Sequence, residues 1–363
     1  MVSENITCMK VLIVVNSLNV GGAENLICES LPFYKKCEVD LAVLTRKNDI
    51  LSEKAQSNSK GEIFFLGEGS VYNPLVIIKL ISLIKMYDTI HIHLFPSLYF
   101  VVIAELFCKK KINLIYTEHS TNNKRRSNFL FKFFDKLIYN RINKIVTIAR
   151  DVDLELKSHL GGKFSDKFVL IENGINLEKF IAAESYSKNQ FFNDLNSKII
   201  IQVSSFRFPK DQHTVIRSLK LLPDHYKLIL VGVGPLMEEN IQLVNSLGLN
   251  TRVLFLGLRS DIPNLLKTSD VIVLSSQYEG LSLSSIEGMV VGKPFIASNV
   301  KGLREIVESN GLLFTFGDSE DLSNKIRIAV EDKEQRQIII SRCYNKALQY
   351  DIKHMVNRYE KVY

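Results

Sequence analysis

Short apolar runs rich in Val, Ile and Leu recur along the chain and alternate with stretches of helical periodicity. In the first half they fall at 10–15, 39–44, 62–66, 89–94, 113–117, 144–148 and 168–171. An irregular polar stretch at 183–197 interrupts the rhythm. It restarts at 198–203, 227–231, 252–256, 270–274, 294–297 and 312–315. Apolar runs this short, separated by helices, predict parallel strands covered on both faces. Right-handed crossovers then wind each series into its own doubly wound sheet. The pattern therefore predicts an α/β chain of two Rossmann-like domains, divided near 172–197.

Residues able to do chemistry gather in the segments that follow these strands. After the run at 270–274 come Glu279, placed in a loop, and Glu287, about one turn into the next helix, with seven residues between them. Both can face the crevice beyond the strand ends, where open parallel sheets bind ligands. The helix start adds free N–H groups that suit a phosphate, so a polyol carrying phosphates could use every one of these groups. Ser284 and Glu287 also fit a capping box, which would make Glu287 structural. After 198–203, Ser204-Ser205-Phe206-Arg207-Phe208-Pro209-Lys210 offers two cations of the kind a diphosphate needs. After the first strand, Gly21 and Gly22 in Gly-Gly-Ala-Glu let the backbone approach a bound group at a helix start. This is not the Gly-x-Gly-x-x-Gly of a dinucleotide-binding loop. His119 closes the strand at 113–117. His91 and His93 share one strand face, too few ligands for a metal centre without a third. Asp151 and Asp153 open a helix, where acids favour the dipole.

The stretch around Glu279 and Glu287, with Gly280, Gly288, Gly292-Lys293-Pro294, Gly302 and Glu305, resembles the retaining glycosyltransferases of family 4, also called glycosyl transferases group 1. The resemblance is dense over 198–317 and sparser, though continuous, before it. It implies a GT-B architecture, in which two Rossmann-like domains face a cleft. These would be 1–172 on the acceptor side and 173–345 on the nucleotide-sugar side, with a final helical segment, 346–363, crossing back to the first.

The resemblance also implies roles. Glu287 would hold the ribose hydroxyls and Glu279 the donor sugar. The amides of Gly280, Leu281 and Ser282, with Lys210 and Arg207, would hold the diphosphate. Gly21 and Gly22 would lie under that diphosphate, and His119 would contact the transferred sugar. Gly232-Val233-Gly234 looks like the family's glycine turn, Asn173-Gly174 like its interdomain segment, and Leu258-Arg259 like the place that holds the base. One departure stands out: Ser205 occupies the usual arginine position, and Arg207 follows two residues later. The implied reaction moves a hexosyl or N-acetylhexosaminyl group from a UDP- or GDP-sugar to a hydroxyl of a glycan or lipid-linked acceptor, with retention, in bacterial surface polysaccharide or lipopolysaccharide synthesis. Asp151 and Asp153 read as structural, so neither a metal nor a cofactor is expected. Two other readings use the same fold: a sugar-nucleotide epimerase, and a non-catalytic nucleotide-sugar-binding protein.

Bulk properties refine this picture in two places. The 363 residues are enough for two cores, and their five scattered cysteines suit a reducing, cytoplasmic setting. No apolar run approaches the roughly 20 residues of a membrane span. The net charge of +7 is uneven: segment 109–144 holds ten basic and two acidic residues. Within it, Leu130, Phe133, Phe134, Leu137 and Ile138 recur at helical spacing, which predicts either a face packed on the sheet or a surface resting on anionic lipid. No recognisable nucleic-acid module accompanies the charge, so nucleic acid is not an expected partner.

Overall fold

The computed structural model describes residues 8–19, 21–46, 50–119, 129–279 and 282–363, with the backbone alone for Phe129 and Leu130. The chain divides into two compact units, Met1–Gly174 with Ile352–Tyr363, and Ile175–Asp351. The first unit holds β1 (Met9–Val15), β2 (Cys37–Val43), β3 (Ile63–Phe65), β4 (Thr89–His93), β5 (Asn113–Glu118), β6 (Lys144–Thr147) and β7 (Phe168–Leu170). They form one sheet in the order β3-β2-β1-β4-β5-β6-β7, every pair parallel.

Strand β1 shows why the sheet needs two covers. Successive side chains point to opposite faces, and Met-Lys-Val-Leu-Ile-Val-Val is apolar on both. Leu12 and Val14 join a core with Leu80, Leu98, Val101, Tyr139 and Leu156, which come from the helices Val76–Ile84, Ser97–Glu105, Phe129–Arg141 and Arg150–Leu160. Val11, Ile13 and Val15 join the opposite core with Leu26 and Ile27 of helix Gly22–Ser30. Ile352, Met355, Val356 and Tyr359 of the last helix, Ile352–Glu360, complete that second core.

The second unit repeats the plan with β8 (Lys198–Val203), β9 (Tyr226–Val231), β10 (Val253–Phe255), β11 (Val271–Leu274), β12 (Phe295–Ser298) and β13 (Leu312–Phe314). Its parallel order is β10-β9-β8-β11-β12-β13. Ile199 and Ile201 face a core built with Ile286, Met289, Ile339 and Cys343, and Ile200 faces one built with Val215, Ile216, Leu322 and Ile326. All thirteen strands lie within two residues of the runs read from the sequence. The strand order reverses between β1 and β4 and between β8 and β11, which makes the segments after those strands the natural places for ligands.

One helix takes the second of the two orientations its sequence allowed. In Phe129–Arg141 the buried side is made by Asp135 and Tyr139, with Phe131 and Ile138 half-buried. Phe133, Phe134 and Leu137, the residues that would have packed on the sheet in the other orientation, are 59%, 50% and 55% exposed. Burial of Asp135 decides the rotation. Its carboxylate accepts hydrogen bonds from Tyr99 (2.6 Å) and meets Nε2 of His159 at 2.8 Å, tying the helix to both neighbours. Among the described residues no helix is long and apolar enough to cross a membrane, and all five cysteines are unpaired.

Candidate active site

In the second unit, four segments leaving the carboxyl ends of the strands are laced to one another. Gly232 donates its amide to Gly257 (2.8 Å), and Phe206 donates to Val233 (3.1 Å). These contacts require glycine. A Cβ on Gly232, whose φ is +135°, would lie 2.2 Å from the Ser204 carbonyl oxygen. One on Gly234 would lie 2.3 Å from that of Phe206. The glycine turn after β9 therefore acts as a backing plate for the segment after β8.

That segment is tied equally firmly to the one after β11. Lys210 and Ser276 form an isolated antiparallel bridge, and Gln277 donates to the Pro209 carbonyl (2.9 Å). Asp211 caps helix Gln212–Lys220 by accepting the Thr214 amide (3.1 Å), while its other oxygen accepts the Ser275 hydroxyl (2.8 Å). Lys210 thus sits between a bridge and a cap. From there its Nζ bonds a carboxylate oxygen of Glu279, and both side chains are largely buried. Glu279 is held in turn by its amide, which donates to the Lys301 carbonyl (3.3 Å). Glu305 steadies the turn beyond by accepting the Gly302 amide.

Arg207 is exposed on the same segment. Phe208 and Tyr278, the residues beside this group, are also exposed, with ring centroids 5.8 Å apart. Nothing in the spacing of charged residues marked these two aromatics. Their only signal was position, directly before Pro209 and Glu279. Leu258, after β10, is 82% exposed. Arg259 beside it pairs with Asp261, whose carboxyl this contact and the Tyr186 hydroxyl help to hold at a pKa of about 2.

Glu287 lies on helix Leu283–Val290, whose N-cap is Ser282. The capping-box alternative is not realised. The helix begins one residue before Ser284, and Ser282 makes no side-chain cap bond. Glu287 lines a small cavity of about 10 Å³ with Val203, Leu274, Ser284 and Phe295. Gly288 lets this helix lie against the sheet, since a Cβ there would stand 2.7 Å from the Phe295 ring. Ser282 is buried, its Oγ 3.2 Å from that of Ser284. Gly280 and Leu281 lie outside the described residues.

In the first unit Gly21 is the N-cap of helix Gly22–Ser30. The Glu24 carboxylate folds back over this turn, its oxygen 2.1 Å from where a Cβ on Gly21 would stand. Burial raises the pKa of that carboxyl. His119 follows β5, with Nε2 2.9 Å from Nδ1 of His93. Burial lowers the pKa of His119 to about 4 and that of His91 to about 3. His93 is also lowered, by burial and then by its two histidine neighbours. All three imidazoles are therefore neutral at neutral pH. Asp153 is engaged by Lys157 (2.7 Å) and the Thr147 hydroxyl (3.2 Å). Among the described residues no group of three or more His, Cys, Asp or Glu side chains is placed to hold one metal ion.

Two parallel sheets of seven and six strands with interleaved helices fit the two-domain GT-B class of α/β proteins. Solved structures agree on the fold. Anabaena HepE in complex with UDP superposes with a TM-score of 0.79 at 23% identity, over 97% of this chain and 99% of that one. A glycosyltransferase from Rickettsia africae gives 0.78 at 21% identity, over 98% of each chain.

Two family models match in succession: Glycosyltransferase Family 4 over residues 20–179 and Glycosyl transferases group 1 over residues 185–346. The chain belongs to this glycosyltransferase family. Among curated relatives, an N,N'-diacetylbacillosaminyl-diphospho-undecaprenol alpha-1,3-N-acetylgalactosaminyltransferase of Campylobacter jejuni is 31% identical, over 64% of this chain and 61% of the relative. A UDP-Gal:alpha-D-GlcNAc-diphosphoundecaprenol alpha-1,3-galactosyltransferase of Escherichia coli is 31% identical, over 54% of each. The chain thus spans between about half and three fifths of the length of these two relatives.

Proposed function

We propose that the protein is a retaining glycosyltransferase. It moves a hexosyl or N-acetylhexosaminyl group from a UDP- or GDP-sugar to a hydroxyl of a glycan or lipid-linked acceptor. The observation that carries this reading is the meeting of Lys210 and Glu279 at the β8/β11 switch point. A fixed cation suits a diphosphate, and a carboxylate beside it suits the hydroxyls of the attached sugar. Glu287 takes the ribose hydroxyls from the next helix. Arg207 and the amides of Gly280, Leu281 and Ser282 complete the diphosphate's partners, and Gly21, Gly22 and His119 are assigned to the donor as well.

As the glycosidic bond breaks, charge grows on the leaving diphosphate and Lys210 stabilises it in place. The departing phosphate oxygen accepts the proton of the acceptor hydroxyl. The new bond then forms on the face the diphosphate leaves, which retains configuration. The UDP-bound HepE structure supports a UDP-sugar donor, and the undecaprenyl-diphosphate substrates named for two relatives support a lipid-linked acceptor and a role in surface glycan assembly.

Segment 109–144 fits a cytoplasmic protein that rests on the inner face of the cell membrane. Phe133, Phe134 and Leu137 stand exposed among Lys132 and Lys136, and Leu106 and Phe107 stand exposed just before Lys109, Lys110 and Lys111. Aromatic rings that enter the interface, ringed by lysines, are what an anionic lipid surface attracts.

The test of the reaction is a panel of UDP-, GDP- and ADP-sugars offered to the purified protein. One donor should be hydrolysed slowly, and Lys210→Met should abolish that hydrolysis. Failure to bind or cleave every donor, by a folded protein, refutes the reading.

A further inference from the structure

Strand β4 carries His91 and His93 on one face, too few ligands for a metal centre by themselves. Their surroundings suggest a different task. Strands β4 and β5 pair in register, His93 opposite Thr117, which brings His119 just past the strand end within reach of His93. Nδ1 of His93 then lies 2.9 Å from Nε2 of His119. His93 has little freedom to leave this contact, being 3% exposed with its ring centroid 4.1 Å from that of His91.

His91 is itself fixed at both nitrogens, Nε2 by the Thr117 hydroxyl (2.7 Å) and Nδ1 by the Tyr363 hydroxyl (2.8 Å). Tyr363 stacks on Tyr34 and bonds its hydroxyl at 3.2 Å. A chain of contacts therefore runs from the last residue through His91 to the ring behind His119.

An N···N contact of this length between two imidazoles contains one proton, given by one ring and accepted by the other. The contact occupies Nε2 of His119. Nδ1 is then the one ring nitrogen that His119 can offer a substrate. We propose that His93 is a positioning residue of the active site, gripping His119 by Nε2 so that Nδ1 meets a hydroxyl of the transferred sugar. This rests on the role given to His119 above. Its physical content is pre-organisation: a ring held in one orientation before the donor arrives needs no reordering during transfer.

Two variants separate the hydrogen bond from mere packing. His93→Asn keeps a polar group near the position of Nδ1, and His93→Leu fills the space with none. With the donor identified by the panel, His93→Leu should lower kcat about tenfold, the weight of one hydrogen bond, and leave affinity for the nucleoside diphosphate unchanged. His93→Asn should recover most of that loss. Wild-type turnover in His93→Leu overturns the proposal, and so does a His93→Asn variant as slow as His93→Leu. A second arm uses the unaltered protein without ligand. Its 15N spectra should show a scalar coupling across the N–H···N bond between the two rings, and absence of that coupling overturns the tether. Because this arm needs no turnover, a protein inactive on every donor sinks the proposed reaction while the spectra still decide the tether.

Discussion

Lys210 and Glu279 satisfy each other, so a diphosphate that claims the lysine must compete with the glutamate for it. Glu279→Gln should therefore tighten binding of the free nucleoside diphosphate, an unusual outcome for removing a binding-site carboxylate. An exposed ion pair contributes about 0.2–1 kcal/mol, and a hydrogen bond to a charged group about 1.5–3 kcal/mol. The two side chains retain 16% and 13% exposure, so this pair lies between those cases. A neutral amide still accepts from the lysine, so only part of the interaction is lost, about 1 kcal/mol. At about 1.4 kcal/mol per factor of ten, nucleoside diphosphate affinity should rise about fivefold. Transfer should fall, because the same carboxylate serves the sugar. Calorimetric titration with UDP and GDP measures the first effect, and initial rates with the cognate sugar donor measure the second. Lys210→Met should weaken diphosphate binding in both backgrounds, and the double variant closes a thermodynamic cycle on the pair. Diphosphate affinity that is unchanged or weaker in Glu279→Gln, at normal thermal stability, refutes the picture of a pair that opens for its ligand.

Four further outcomes are expected. Glu287→Gln should weaken nucleotide binding about tenfold or more, since a charged acceptor of the ribose hydroxyls becomes neutral; equal affinity in a folded variant removes Glu287 from the site. Reversing Lys132 and Lys136 to Glu, with Phe133 and Phe134 changed to Ser, should release the protein from phosphatidylserine vesicles at low salt, as should the triple reversal of Lys124, Arg125 and Arg126, which lie outside the described residues; binding that survives both, or that never occurs, ends the docking idea. Transfer should retain anomeric configuration and persist in EDTA, because Lys210 supplies positive charge at the diphosphate; an inverted first product, or activity restored only by Mg²⁺ or Mn²⁺, would return Asp151 and Asp153 to consideration. Thermal stability should fall as pH drops from 6.5 toward 3. His91 stays neutral when folded (pKa about 3) but takes up a proton when unfolded below 6.5, a slope of up to about 1.4 kcal/mol per pH unit; a melting temperature flat over that range counts against the buried histidine.

The strands and their grouping were legible because burial on both faces leaves a local mark, a run of Val, Ile and Leu that cannot sit in water. Turn chemistry was legible for a similar reason. Gly232 and Gly234 occupy places where any side chain would strike the neighbouring backbone, so the requirement is written into residue type. The exposed face of helix Phe129–Arg141 was not legible. Its apolar residues allowed two rotations, and the contacts of Asp135 with Tyr99 and His159, distant in sequence, chose between them.

What the sequence by itself determined was the inventory: two series of buried strands, the segments after them, and the charged and glycine residues those segments bear. Only the tertiary structure decided which of these residues meet. Lys210 and Glu279 are 69 residues apart and touch because β8 and β11 are neighbours at a reversal of strand order. His93 grips His119 because β4 lies beside β5 in one register and no other. Strand order and register are set by how whole faces pack, a property of many residues at once. No local window of the sequence contains it.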